Sequence, residues 1–335
     1  MIDYRTINAD FIPVEQDKEP EKWLELRTTG IGGSDAGTIM GLNKYSSPLV
    51  VYSQKKKIQG FKGNKATEWG HILEEPVRQK SREELGYEII TVPGMYRSRE
   101  HDFMNANIDG LMYIPAERPL SLNGNEASGL VGHEIKTSSR GEGFAGDDIP
   151  DSYYCQVQHY MAVTSLEYFV LTVFFLSTKT GRHYLIPRND TFIQSLIDNE
   201  TDFWENYVLK NVVPEPTGID AEAEYLKNVP LASDIVLDDE TEELIAQERN
   251  LDEKIKELSR EQAAMKNKII CKLISDGGES PEKVSAAAGR FRISYNTQVR
   301  KSVDTAALKK AGLFDEYAKE SSSRVLRISE VKAGA

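Results

Sequence analysis

The chain reads as an α/β protein: a core with a mixed sheet flanked by helices, followed by a C-terminal α+β extension built on a long amphipathic helix. Three observations predict this. The apolar period changes from helical to alternating after Gly86 and returns to helical over Asp151–Val163, giving the order helix–β–β–β–helix–β. Two carboxylates, Asp109 and Glu134, fall on the strand-like runs, Asp109 just before a glycine. Pro214, Pro216 and Gly218 then break the pattern, and beyond them Leu244, Leu251, Ile255, Leu258, Met265, Ile269 and Leu273 recur at sevens, fours and threes. The break predicts a domain over residues 1–214 and an extension over 215–335.

The elements follow in order. Residues 20–58 read as helix, Gly-rich turn, helix. Ser34 or Asp35 can cap Ala36–Gly41, and Ser46, Ser47 and Pro48 open Leu49–Lys57. Residues 66–85 form a helix with an apolar stripe of Trp69, Ile72, Leu73 and Val77, stopped by Gly86. Tyr87–Val92, Met95–Ser98, Asn105–Ile114 and Leu130–Thr137 read as strands, with a hairpin loop over Glu117–Gly129. After the helix Asp151–Val163 come strands Tyr168–Ser177 and His183–Pro187, joined by a turn at Lys179–Gly181, and a closing helix Thr191–Leu209. In the extension, strands Gly289–Gln298 and Arg324–Ile328 flank a helical Thr305–Ala318.

Composition narrows the class. No run approaches the roughly 20 apolar residues that span a bilayer, and Met1–Arg5 lacks a basic region followed by an apolar one, so no secretory signal is expected. Two cysteines, Cys155 and Cys271, supply neither a disulfide framework nor a zinc or iron–sulfur site. A reducing, cytoplasmic setting is expected. The net charge of −12 does not argue for nucleic acid. It is unevenly spread: residues 215–283 hold 18 acidic and 9 basic side chains, whereas residues 290–335 hold 10 basic and 5 acidic. A local basic groove is therefore compatible with the sum.

The chemistry lies on the predicted strands. Asp109, taken alone, is a turn starter before Gly110. Glu134 and Lys136 alternate with Ile135, so both side chains project from one face while Ile135 turns inward. As neighbours on hairpin-linked strands, Asp109 and Glu134 can converge. Two carboxylates and the Ile135 carbonyl suit Mg²⁺, a hard cation that keeps several waters, with Mn²⁺ as a substitute. Lys136 beside them can orient or deprotonate a water and offset transition-state charge. Glu74 lies one helical turn after Gly70, and Gln156 and Tyr160, four apart, share a helix face. Trp23 and Arg27 precede Gly30, Gly32, Gly33 and Ser34, a Gly-rich turn whose backbone amides can hold a phosphate.

These blocks together resemble the PD-(D/E)xK nuclease superfamily. They are most similar to its YqaJ-like viral recombinases and lambda-type phage alkaline exonucleases, over about residues 20–210. Ile108 stands where the motif name has Pro. The resemblance implies a restriction-endonuclease-like core and a Mg²⁺-dependent enzyme that degrades double-stranded DNA from 5′ ends. The resulting 3′ overhangs would serve a phage single-strand annealing protein in a bacterial host. It implies metal ligation by Asp109, Glu134, Glu74 and the Ile135 carbonyl, with Glu75 the alternative to Glu74. It further implies catalytic roles for Lys136, Gln156 and Tyr160, and a site for DNA and the 5′-phosphate at Arg27, Ser34, Trp23 and Asn107. Related exonucleases form ring-shaped trimers, so a homo-oligomer is expected. A restriction-like endonuclease and an inactive DNA-end-binding module are the alternative readings. Arg290, Arg292, Arg300 and Lys301 offer further DNA contacts, or the extension docks the annealing partner.

Overall fold

The structure is a computed structural model that describes residues 2–58, 60, 65–139, 141, 143, 144, 146–231, 238–274, 283–319 and 324–328, with Ala66 by its backbone alone. The chain divides into two compact units, Met1–Val229 and Pro230–Ala335.

The first unit opens with strand β1 (Asp10–Pro13) and helix α1 (Pro20–Thr28), which carries Pro in its first turn. A two-residue strand β2 (Ile31–Gly32) runs into helix α2 (Gly33–Ile39). The cap differs from expectation. Gly32 holds the N-cap position and its N–H donates to the Asp35 carboxylate at 3.0 Å, so Asp35 closes the turn from inside the helix while Ser34 stays available. Helix α3 (Pro48–Lys55) is capped by Ser47, and α4 (Lys65–Leu85) ends at Gly86, which takes φ +75°. The predicted stripe of α4 is buried only at its end. Val77 is covered, whereas Trp69 and Ile72 are exposed, and Thr67, Gly70, His71 and Glu74 of the same half line a cleft.

The strands sort into two sheets. β1, β4 (Gly94–Arg97), β5 (Met104–Ala106) and β2 make a four-stranded sheet in the order β1-β4-β5-β2. The central sheet takes β3 (Ile89–Ile90), β6 (Gly110–Ile114), β9 (Gly129–Ser138), β10 (Tyr168–Phe175) and β11 (Thr180–Pro187), in the order β11-β10-β9-β6-β3. It is mixed: β9 and β10 run parallel, the other pairs antiparallel. The mixed α/β fold expected from the sequence is the one the chain adopts.

Two details differ from the sequence reading. The predicted strand Asn105–Ile114 is two strands in two sheets, broken at 107–109. There the Asp109 carboxylate accepts the Ile135 N–H at 2.8 Å, so a side chain stands where a ladder carbonyl would end the pairing of β6 with β9. The hairpin loop 117–129 contains its own ladder, β7 (Leu120–Leu122) with β8 (Asn125–Ala127), turned by Asn123 and Gly124 at positive φ.

Helix α5 (Asp151–Thr164) crosses from β9 to β10 and stops at Ser165, which is left-handed at φ +57°. The β10–β11 turn falls at 176–179 rather than 179–181, with Lys179 at φ +59° and Gly181 in the ladder. Helix α6 (Asp190–Asp202) is capped by Asn189 and continues as π-helical turns over Phe203–Leu209. Beyond the Pro-rich break, residues up to helix α7 (Ala223–Asn228) still belong to this unit. Glu222 is buried there and accepts from Ser47 Oγ at 2.6 Å and from the Thr217 and Gly218 amides. One large core joins Ile31, Tyr96, Met104, Leu111, Met161, Phe169 and Leu171, and a second lies against the opposite face with Ile89, Met112, Val131 and Leu185.

In the second unit the heptad segment is a single helix, α8 (Asp239–Cys271), capped by Asp238. A hairpin of β12 (Lys283–Ala288) and β13 (Phe291–Asn296) follows, then the short helices α9 (Thr305–Lys310) and α10 (Phe314–Tyr317). Residues 324–328, expected as a strand, pair with no strand among the described residues.

Candidate active site

Strand β9 presents the centre. Glu134 and Lys136 project from the same face, as strand alternation requires, and Lys136 Nζ donates to Glu134 Oε1 at 2.6 Å. The parallel crossover to β10 lays α5 against that face. From it Gln156 Nε2 donates to the same Glu134 oxygen at 2.8 Å and to Tyr160 Oη at 2.8 Å. Lys136 also sits 5.3 Å from the ring centre of Tyr153, a cation–π contact. Asp109 reaches the site from the break between β5 and β6.

The electrostatics are those of crowded carboxylates. Burial first, then repulsion from Asp109, pushes the Glu134 carboxyl up to about 8, despite Lys136. Burial also raises Asp109, against the pull of Lys136, the Ile135 amide and Arg78. For Lys136 the two carboxylates outweigh the cost of burial and raise its ammonium. Tyr160 is held protonated by burial and by the same carboxylates. Glu134 Oε2 is buried with no hydrogen-bond partner. An unsatisfied buried carboxylate oxygen costs free energy unless something fills its place.

The orphaned Glu134 oxygen, the Asp109 carboxylate and the Ile135 carbonyl are oxygen donors of the kind a hard divalent cation takes, and all three residues line one cleft. Among the described residues no three His, Cys, Asp or Glu side chains converge on one metal position. Glu74 lines the same cleft, but its carboxylate is engaged by Arg78, and His71 lies 3.7 Å from its other oxygen. Burial and then the Asp109 charge raise its pKa. Glu75 is more exposed, bonds Arg78 and Arg82, and does not line the cleft.

A second group lines the same cleft, whose volume is about 1110 Å³. Arg27 Nη2 donates to Ser34 Oγ at 3.2 Å, and its guanidinium rests over the Trp23 ring at 5.0 Å. Asn107 is exposed on the cleft wall. The turn before α2 needs its glycines for proximity: a Cβ on Gly33 would meet the Tyr160 ring at 2.5 Å and Gln156 Cγ at 3.0 Å. That contact brings the Arg27–Ser34 part of the cleft against the Gln156–Tyr160 helix. The cleft thus gathers Trp23, Arg27, Ser34, Glu74, Asn107, Asp109, Glu134, Ile135, Lys136, Gln156 and Tyr160, but not Glu75, the alternative to Glu74.

Sequence reasoning missed the cations that brace these groups. Arg78 is buried, bonds Glu74 and Glu75, and donates to the Asp109 carbonyl at 3.0 Å, tying α4 to the strand break. Its only sequence signal is its spacing of four and three from the two glutamates. Lys55 is equally buried, donating to Asp35 Oδ2 at 2.5 Å and to the Arg27 carbonyl at 2.8 Å. At Asp35, burial pushes the carboxyl up, but Lys55, Arg27 and the Gly32 amide together hold it below the usual range.

Residues 22–167 match the family model of the YqaJ-like viral recombinase domain. The matched segment runs from just before Trp23 to the start of β10 and contains the whole Asp109–Glu134–Lys136 centre. The chain is also 27% identical to the uncharacterized protein YqaJ of Bacillus subtilis (strain 168) over 334 residues, 96% of this chain and 98% of the relative. The alignment therefore extends past the matched segment into the second unit. Among solved structures, an alkaline exonuclease from Laribacter hongkongensis is similar at 18% identity and TM-score 0.46, over 57% of this chain and 94% of its own. A phage related exonuclease from Haemophilus somnus 129PT is similar at 14% identity and TM-score 0.36, over 54% and 96% of the two chains.

Proposed function

We propose that the protein is a Mg²⁺-dependent deoxyribonuclease that degrades one strand of linear double-stranded DNA from its 5′ end. The observation that carries this reading is the buried, unpartnered Glu134 Oε2 beside Asp109 and Lys136, in the same cleft as the Arg27–Ser34 pair. Asp109, Glu134, Glu74 and the Ile135 carbonyl would hold the metal ion. When bound, the ion polarises the scissile phosphoryl group and acidifies a water.

The protein's own groups do the rest. Lys136 orients the attacking water and offsets charge that develops on the phosphoryl oxygens. Gln156 fixes the Glu134 oxygen to which Lys136 is bonded, and Tyr160 anchors Gln156. Water adds to phosphorus, the bond to the 3′ oxygen breaks, and that oxygen takes up a proton. In the same cleft, the Arg27 guanidinium and Ser34 hydroxyl grip the terminal 5′-phosphate, with Trp23 backing the guanidinium and Asn107 touching the strand. The 3′ single strands left behind are the substrate of a single-strand annealing protein, the partner we assign to the pathway.

The test is a linear duplex labelled at either end, incubated with Mg²⁺ or with chelator, alongside a covalently closed circle. The expected result is metal-dependent loss of the 5′ label first, with the circle intact. Loss from 3′ ends contradicts the polarity, and nicking of the circle identifies an endonuclease.

A further inference from the structure

Lys136 has three N–H donors, and one of them goes to Glu134 Oε1 at 2.6 Å. A second group holds the same ammonium. The ring of Tyr153, in the first turn of α5, has its centre 5.3 Å from Lys136 Nζ, and both residues line the cleft. A ring face attracts a cation through its quadrupole, and it has no lone pair to take up a strong hydrogen bond. The ring is itself fixed. It stacks on Phe144 with centroids 6.0 Å apart and 29° between the planes. Phe144 meets Phe175 edge-on at 5.7 Å and Tyr184 at 6.2 Å. Phe175 ends β10, and Tyr184 is a buried residue of β11. The central sheet therefore locates Lys136 twice: through its own strand β9, and through β10, β11 and the aromatic stack.

We propose that Tyr153 is a positioning residue for Lys136, its ring face holding the ammonium in place while the remaining two N–H groups serve the attacking water and a phosphoryl oxygen. The inference rests on the role given to Lys136 in the proposed function. In that role the bond to Glu134 is a weak tether on its own, because the same carboxylate is shared with the metal ion. A second hydrogen-bond acceptor would steer the ammonium but consume an N–H that the substrate needs. An aromatic face steers it and consumes none. Gln156 makes the matching contact, donating to Glu134 Oε1 at 2.8 Å. Tyr153 and Gln156 are three apart on α5 and share a helix face, so one helix sets both members of the Lys136–Glu134 pair.

The experiment uses the full chain and has two arms. In the metal-free protein with labelled lysine, the Lys136 side-chain protons are expected upfield of those of other lysines, shifted by the ring current of Tyr153. Tyr153→Leu is expected to abolish that shift and Tyr153→Phe to keep it. In the second arm, cleavage of duplex is followed with Mg²⁺. Tyr153→Leu is expected to lower kcat about tenfold, the weight of one cation–π contact, with KM unchanged, and Tyr153→Phe to restore most of the rate. Phenylalanines carrying more and more ring fluorines at position 153 keep the size but weaken the negative face, and kcat is expected to fall step by step with fluorine number. In a Lys136→Ala background Tyr153→Leu is expected to cost nothing further. A flat fluorine series, a rise in KM in place of the fall in kcat, or an unshifted Lys136 signal overturns the proposal; the rise in KM would make Tyr153 a substrate contact. Full activity in Lys136→Ala alone overturns the proposed function instead, and the two failures are thereby told apart.

Discussion

Replacing Lys55 with Met tests whether the cation under the Arg27 turn holds that turn together. The two side chains of the Lys55–Asp35 pair are 2% and 6% exposed. The substitution keeps the length and apolar stem of the side chain but leaves Asp35 Oδ2 with the Gly32 amide alone and Oδ1 with Arg27 at 3.8 Å. Breaking a buried pair from one side costs about 3–5 kcal/mol. Because Arg27 remains close, the low end applies, about 3 kcal/mol. At a urea dependence of about 3 kcal/mol/M, the midpoint falls by about 1 M. The pH dependence gives a second readout. In the native protein Asp35 lies below its usual pKa, so its contribution is present above about pH 4 and lost as pH falls through the lower folded value. In Lys55→Met the folded pKa rises above the unfolded one. The folded state then holds the proton more tightly, and the penalty present at pH 7 shrinks as pH falls toward 5, by up to about 1.4 kcal/mol per pH unit. Asp35→Leu combined with Lys55→Met is expected to recover most of the loss. A loss under 1 kcal/mol, or a gap that stays constant between pH 5 and 7, refutes the reasoning.

Other outcomes follow from the same geometry. Lys136→Ala and Asp109→Asn are each expected to lower single-turnover cleavage by at least 100-fold with unchanged circular dichroism, and full activity in Lys136→Ala contradicts the assigned role. Mg²⁺ at 100 times its Kd is expected to stabilise the native protein by about 2.7 kcal/mol, and Asp109→Asn to erase most of that gain in a thermal-shift titration. Duplexes with a 5′-phosphate are expected to be digested faster than those with a 5′-hydroxyl, and Arg27→Ala to remove the difference while sparing metal-dependent stabilisation. Gly33→Ala forces a Cβ to within 2.5 Å of the Tyr160 ring, so chemical denaturation is expected to show a loss of about 1–3 kcal/mol, with cleavage falling as Gln156 is displaced.

How much of this was legible in the sequence depended on whether a feature is local. The period of Asp151–Val163, the opening of α3 at Ser47 and Pro48, and the alternation of Glu134 with Lys136 are set by neighbours in the chain, and they are visible there. The heptads of α8 are visible for the same reason. The break at 107–109 is not, because it exists only once the Asp109 side chain has taken the Ile135 amide from another strand. Nor is the exposure of Trp69 and Ile72: their spacing fits a buried stripe, and whether a stripe is covered depends on what packs against the helix, which lies elsewhere in the chain.

The same division runs through the site. Residues that would face a substrate stand in short recognisable blocks, so Arg27, Ser34, Asp109, Glu134, Lys136, Gln156 and Tyr160 were all open to a reader of the sequence. Arg78 and Lys55 were not, since each is one basic residue among 41 in the chain and each acquires meaning only through burial. A buried cation cannot stand without partners, and the partners it finds are the groups the cleft must hold still: Glu74 and the Asp109 carbonyl for Arg78, Asp35 and the Arg27 carbonyl for Lys55. If that bracing is their purpose, an apolar replacement of the whole Lys55–Asp35 pair recovers stability but not the preference for 5′-phosphorylated ends, because packing can substitute for the buried charges while nothing apolar can hold the Arg27 carbonyl in place.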